Sequence, residues 1–232
     1  MQLVNLESGN QKIHILFCLL WNIIPKKKIN KNAIYIIDIG ANLGWFSFIL
    51  GKKGYNILSF EPSKINYYIL LKTYCLNNNL NITIVNKGLD KIESKSYLYH
   101  PFNNIGNALI SKILKNYTQE EIILTKLNNY VDFYVDKNLA LIKLDIECYE
   151  GRAIEGGIDF ISKYHVPFII MEFNPKSIKK IGFDPKIILE IFDKNGYKIS
   201  VKNFLDKKYI SKSDLLSIGS ANIFAIYQEF LE

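Results

Sequence analysis

Short apolar runs alternate with amphipathic stretches along most of the chain, the pattern of β-α-β units wound around a parallel sheet. A first strand is predicted over residues 33–39. Trp45, Phe46, Phe48, Ile49 and Leu50 follow as a buried helical run that Gly51 and Gly54 end. Residues 56–60 read as a second strand, and Ser63 is the expected N-cap of the next helix, with Ile65, Ile69 and Leu76 near one face and Asn77, Asn78 and Asn79 as its stop. Residues 82–86 give a third strand. The stretch 90–126 parses poorly: residues 97–99 read as an extra strand and 100–107 as a loop rich in Asn, Pro and Gly. A fourth strand over 139–145 is continuous and apolar, as a central parallel strand should be, except for Lys143, and Ile154, Ile158 and Ile161 mark the helix after it. Residues 166–173 form the fifth. Asp184 and Pro185 open a further helix that Asn195 and Gly196 close. Residues 197–201 and 221–227 are the last two strands, expected to pair as a hairpin with the final one antiparallel. The result is a doubly wound, mostly parallel seven-stranded α/β sheet with an antiparallel last strand.

A chain of 232 residues favours one domain, here residues 31–232, behind a leading helical segment over 1–30. Hydrophobic residues make up 49% and charged ones 22%, which excludes both a disordered chain and a membrane bundle. The apolar run from Ile13 to Ile24 is too short to span a bilayer, Asn22 interrupts it, and Lys26, Lys27 and Lys28 stand on the wrong side for a signal peptide. A helix packed on the domain is the leading reading, and weak contact with a membrane surface the lesser one. Three cysteines, Cys18, Cys75 and Cys148, lack CxxC or His/Cys spacing, so neither a disulfide framework nor a zinc site is expected and a reducing, cytoplasmic compartment fits best. The net charge of +7 could draw phosphate-bearing partners, but the lysines are scattered rather than clustered.

Asp38-Ile39-Gly40-Ala41-Asn42-Leu43-Gly44 changes this picture, because a strand running into closely spaced glycines and then a helix lets a ligand approach the backbone. Ligands of open α/β sheets bind outside the carboxyl ends of the strands, where Asp38 could accept a hydrogen bond from a ligand amino group. Glu61, about 20 residues beyond the glycines, stands where a ribose diol is commonly held. A dinucleotide site would want Gly-x-Gly-x-x-Gly; Asn42 and Trp45 replace its second and third glycines, which favours an adenosine ligand without a pyrophosphate.

These residues resemble the FkbM family of S-adenosylmethionine-dependent methyltransferases. The run Lys143-Leu144-Asp145-Ile146-Glu147-Cys148-Tyr149-Glu150, followed by Ile154-Glu155-Gly156-Gly157, resembles the family's Lys-x-Asp-x-Glu-Gly-x-Glu signature and the helix after it. Residues 167–175 and the stretch from Val85 to Asp90 resemble the family's next strand and the segment after its third strand. The likeness covers residues 33–201 and implies a Rossmann-like class I methyltransferase with S-adenosylmethionine held by Asp38, Gly40, Asn42, Gly44, Glu61, Asn86 and Lys87. Two departures stand out: Cys148 replaces the usual glycine, and Asn128 replaces an acidic residue.

Asp145 and Glu147, two apart on a strand, are expected to point to the same side, with Glu172 ending the neighbouring strand. Crowded acids raise one another's pKa, which suits a general base that takes a proton from a hydroxyl, so Asp145, Glu147 and Glu172 are the candidate catalytic residues. An alternative use is a divalent cation held by Asp145, Glu172 and Asn174. Glu150 and Glu155 are expected to be solvated. Of the histidines, His165 is placed at the opposite edge, His14 in the leading helix, and His100 alone near substrate. The implied reaction is direct in-line methylation of a hydroxyl on a sugar, glycan or secondary metabolite. A nucleic-acid acceptor ranks lower, because no Asn/Asp-Pro-Pro-aromatic pattern closes the fourth strand, and a non-catalytic binding domain is the reading of a different class.

Overall fold

The computed structural model describes residues 33–101, 109–110, 117–134, 137–204 and 208–231. The leading helix expected over 1–30, with His14 and Cys18, lies outside the described residues. In chain order the strands of the main sheet are β1 (Ile34–Ile39), β2 (Asn56–Phe60), β3 (Ile82–Val85), β8 (Asn138–Leu144), β9 (Phe168–Phe173), β10 (Tyr197–Ser200) and β11 (Ala221–Tyr227), laid side by side as β10-β11-β9-β8-β1-β2-β3. Strands β1, β2, β3, β8 and β9 run parallel, whereas β11 pairs antiparallel with both β9 and β10. The last two strands therefore pair as expected, but helix α7 (Lys212–Ser217) lies between them in the chain, so the connection is not a tight hairpin.

Alternate residues of each strand face opposite sides, and both sides are buried, which explains the unbroken apolar runs. Ile34, Ile36 and Ile57 pack with Phe46, Phe48 and Leu50 of α1 (Trp45–Lys52) and Leu70 of α2 (Lys64–Cys75). Ile37, Ile39, Ile142 and Met171 pack with Ile154 of α3 (Glu150–Glu155), Phe160 of α4 (Ile158–Tyr164) and Ile188 and Phe192 of α6 (Pro185–Lys194). Asp184 caps α6 by accepting from the Lys186 N–H at 3.0 Å, as the Asp-Pro signal predicts.

Two helices depart from their predicted faces. Trp45 is 65% exposed, since the inward stripe of α1 is Phe46, Ser47, Phe48 and Leu50. In α2, Ile65, Ile69 and Leu76 are all exposed, Leu76 at 86%, while Asn66 and Leu70, four apart, face inward.

The stretch that parsed poorly forms a second sheet. Strands β4 (Gly88–Leu89), β5 (Ser94–Pro101), β6 (Leu109–Ile110) and β7 (Tyr117–Thr125) lie in the order β4-β7-β5-β6. Residues 97–99 belong to β5 as expected, but His100 and Pro101 continue that strand opposite Thr118 and Tyr117 rather than opening a loop. Residues 102–107, the rest of the predicted loop, lie outside the described residues. No helix among the described residues is long and apolar enough to cross a membrane.

Candidate functional site

Strand order reverses between β1 and β8, since the chain runs outward from β1 to β2 and β3 on one side and from β8 to β9 on the other. The carboxyl ends of β1 and β8 thus flank a switch point, the place where open α/β sheets bind ligands. The loop after β1 takes a shape few residues tolerate. Gly40, Asn42 and Gly44 have φ of 77°, 52° and 84°. Gly40 and Ala41 both donate their N–H to the Phe60 carbonyl, at 3.0 and 2.9 Å, which fastens the loop to the end of β2.

Glu61 closes that fastening. One of its oxygens accepts from the Asn42 N–H at 2.8 Å and the other from the Ser63 N–H at 2.9 Å, with Asn66 as a further partner. Burial pushes the carboxyl up, and these three hydrogen bonds oppose the rise. Each carboxylate oxygen has capacity for more than one donor, so an anchored Glu61 still has acceptor sites for a diol. Asn86, just past β3, donates through Nδ2 to the carbonyls of Glu61 at 2.9 Å and Pro62 at 3.0 Å and so holds the tip of β2 in place, with half-buried Lys87 next to it.

Asp38 is fully buried. Its Oδ2 accepts from Ser47 Oγ at 2.5 Å, Ser47 in turn lies 2.7 Å from Ser59 Oγ, and its Oδ1 lies 3.0 Å from Lys143 Nζ. The same ammonium donates to the Gly40 carbonyl at 2.8 Å. Lys143, the one polar break in the fourth strand, is therefore the counter-ion of Asp38 and a brace for the glycine loop. Asp38 stabilises the loop from beneath instead of presenting an open carboxylate to solvent.

The turn after β8 carries the acids. Strand β8 ends at Leu144, so Asp145 and Glu147 are not two apart on a strand: Glu147 and Cys148 have φ of 54° and 76°, and Glu147 is exposed while Asp145 is half-buried. Cys148 thus occupies a left-handed position, the physical reason a glycine belongs there. Glu172 accepts from Ser220 Oγ at 2.8 Å. Asn174 accepts from the Ser177 N–H at 3.0 Å as the N-cap of α5 (Pro175–Lys180), which commits its oxygen to the helix. Among the described residues no group of three or more His, Cys, Asp or Glu side chains is arranged to hold a metal ion.

Glu150 is the residue that sequence reasoning missed. Expected to be solvated, it is 1% exposed and its Oε1 accepts from the Ile146 N–H at 3.0 Å. Burial pushes its carboxyl up to about 7, and the charges of Asp145 and Glu172 add to the rise. Burial likewise pushes the Cys148 thiol up to about 11. The signal for Glu150 was its place in the signature run, four residues beyond Ile146 at the opening of α3. Glu155, the other acid expected to be solvated, pairs with Lys91 at 3.3 Å.

Two further contacts hold this edge together. Asp90 makes a two-pronged ion pair with Arg152 of α3, at 2.7 and 2.9 Å. Asn128 donates to Asp159 Oδ2 at 2.8 Å and accepts from the Phe160 N–H at 3.1 Å, a pair of roles an amide can fill beside Asp159 and an ionised acid cannot. At the opposite edge His165 stacks on Tyr227 with ring centroids 4.6 Å apart, as its placement before β9 implies.

The glycine loop and the acidic turn touch backbone to backbone: a Cβ on Gly40 would lie 2.1 Å from the Asp145 carbonyl oxygen.

The chain is similar to known proteins. Over 161 residues the chain is 27% identical to the ribosomal RNA small subunit methyltransferase G of Rickettsia akari (strain Hartford), an alignment that covers 66% of this chain and 83% of the relative. It is 28% identical over 116 residues to the methyltransferase sdnD of Sordaria araneosa, covering 49% of this chain and 44% of that one. Among solved structures, the bifunctional kinase-methyltransferase WbdD superposes over 95% of this chain with a TM-score of 0.53 at 12% identity, and monomeric WbdD over 96% with a TM-score of 0.56 at 11% identity. The chain spans about two fifths of the length of those structures, 40% and 42%, so the likeness is one of fold, the Rossmann-like α/β fold of class I methyltransferases. The description of the matching family is the methyltransferase FkbM domain, and since its match runs over residues 38–199, through the glycine loop, Glu61, the acidic turn and β9, the chain belongs to the FkbM methyltransferase family.

Proposed function

We propose that this methyltransferase domain uses S-adenosylmethionine to methylate a hydroxyl of a sugar, glycan or secondary metabolite. The observation that carries the reading is the direct contact between the Gly40 loop and the Asp145 turn, which joins an adenosine-type site to a carboxylate cluster at one switch point. Glu61 would hold the ribose diol, the main chain of residues 40–44 would line the ligand, and Asn86 and Lys87 would border the adenine side. Trp45, exposed at the first helical position where a dinucleotide site wants glycine, supports a ligand without a pyrophosphate.

Bound S-adenosylmethionine supplies an electrophilic methyl group. The chain itself has to align the acceptor and take its proton. Asp145, half-buried at the tip of β8, is the carboxylate that receives the proton. Glu150 beneath it, its carboxyl pushed up to about 7 by burial, carries only part of a negative charge near neutral pH, which lessens the repulsion between it and Asp145. Glu147 and Glu172 flank this position. A second reading, an RNA acceptor, is favoured by the likeness to ribosomal RNA methyltransferases and by the net charge of +7.

Calorimetric titration with S-adenosylmethionine, S-adenosylhomocysteine and NAD tests the cofactor. Binding of the first two alone is expected, and Glu61→Ala should weaken it by about 1–3 kcal/mol. Absence of binding would leave the fold as a partner-binding domain. Methyl transfer to a hydroxylated sugar panel, set against transcribed small-subunit RNA, decides between the acceptors.

A further inference from the structure

A second site lies at the other edge of the sheet. The amino ends of β1, β2 and β3 open onto a cleft of about 310 Å³, lined by Tyr35, Tyr74, Asn81, Phe133, Tyr134 and Lys137 among others. Its size sits at the lower end of the range for small-molecule sites, roughly 300–1,000 Å³.

Among the described residues, two groups at this cleft lack the partners their chemistry calls for. The Lys137 ammonium stands 3.5 Å from the centroid of the Phe133 ring, 5.0 Å from that of Tyr35 and 5.7 Å from that of Tyr134. Among the described residues it has no carboxylate partner, and the groups that face its charge are ring faces. Tyr134, fully buried, holds its ring edge-on against Tyr35, Phe133 and Phe160, yet its hydroxyl has no hydrogen-bond partner among the described residues. No solvent reaches that hydroxyl, so it belongs to the floor beneath the cleft, where its missing partner costs the free protein stability.

We propose that this cleft binds a small planar carboxylate, its acid group paired with Lys137 and its ring against the aromatic walls. A single ammonium matches a monoanion better than a phosphate dianion, which would call for a second cation. Flat walls of Tyr35, Tyr74 and Phe133 favour a ring over a branched aliphatic body. The cleft is at the amino edge of the strands and Glu61 and Asp145 are at the carboxyl edge, so its ligand and the methyl donor would not compete.

The test is calorimetric titration of the full-length chain with 4-hydroxybenzoate and, as the uncharged isostere, 4-hydroxybenzamide, each with and without S-adenosylmethionine. The acid should bind about tenfold or more tighter than the amide, the worth of one charge-assisted hydrogen bond. Lys137→Met should erase that preference at an unchanged melting temperature, whereas Tyr134→Phe, which removes only the hydroxyl beneath the cleft, should keep the preference and raise the melting temperature of the free protein. Lys137→Arg, which keeps the charge, should retain the preference. Equal affinity for acid and amide, a preference that survives Lys137→Met, or no binding of the acid at millimolar concentration would overturn the proposal.

Discussion

The turns leaving β1 and β8 meet at the carboxyl edge of the sheet, and both require residues in the left-handed region. After β1 those positions are Gly40, Asn42 and Gly44, residue types that enter this region at little or modest cost. After β8 they are Glu147 and Cys148, which do not. The first turn is relaxed and fixed by hydrogen bonds to β2; the second is strained and stands over a buried acid. A site can thus be built from one turn chosen for backbone freedom and one in which side-chain chemistry overrides it, the strain being held by packing around it.

Gly40→Ala is the change expected to hurt most. It adds a Cβ 2.1 Å from the Asp145 carbonyl oxygen at a φ of 77°, and the clash and the backbone strain together should cost about 2–5 kcal/mol in urea unfolding. A loss under 1 kcal/mol would mean that the two turns are not in rigid contact.

The next effect belongs to the buried acid beneath the second turn. Glu150 has a folded pKa of about 7 against an ordinary 4.5, so the native state holds this proton more tightly than the unfolded chain does. Its contribution to stability is therefore full below about pH 4.5 and is lost as the pH rises through 7, a decline on the order of 3 kcal/mol. Glu150→Gln should flatten that decline relative to the parent, and parallel stability curves for the two proteins across pH 4–8 would refute the assignment.

Cys148→Gly is the smallest and most diagnostic. Relief of the left-handed strain should outweigh the extra freedom of the unfolded chain by about 1 kcal/mol at most, a rise of roughly 2–4 °C in melting temperature. Cys148→Ala, which leaves the Cβ in place, should give no such gain. If both variants melt alike, the second turn is not strained.

How far the sequence could be read follows the same division. Helix α6 was legible from end to end, because Asp184 and Pro185 open it, Asn195 and Gly196 close it, and its apolar residues face the core. Helix α2 was legible in extent but not in orientation: its inward face is set by Asn66 serving Glu61, a polar pairing that a search for apolar stripes cannot see. The second sheet was legible only at residues 97–99, since its strands pair across long separations with short partners such as β4 and β6. Glu61 could be placed from spacing alone, whereas Glu150 required knowing that strand β8 stops at Leu144.

The Lys143–Asp38 pair also bears on how the chain assembles. Strands β1 and β8 are separated by about a hundred residues, and their pairing shifts register between Tyr35 and Ile36 before settling with Asp38 opposite Lys143. A slip of one residue would set Leu144 or Ile142 against Asp38 and strand an unpaired carboxylate in the core, at a cost of about 3–5 kcal/mol. The ion pair therefore acts as a proofreading device for folding: of the many near-equivalent ways to dock one apolar strand on another, it leaves a single register affordable, the one that brings the two turns into contact.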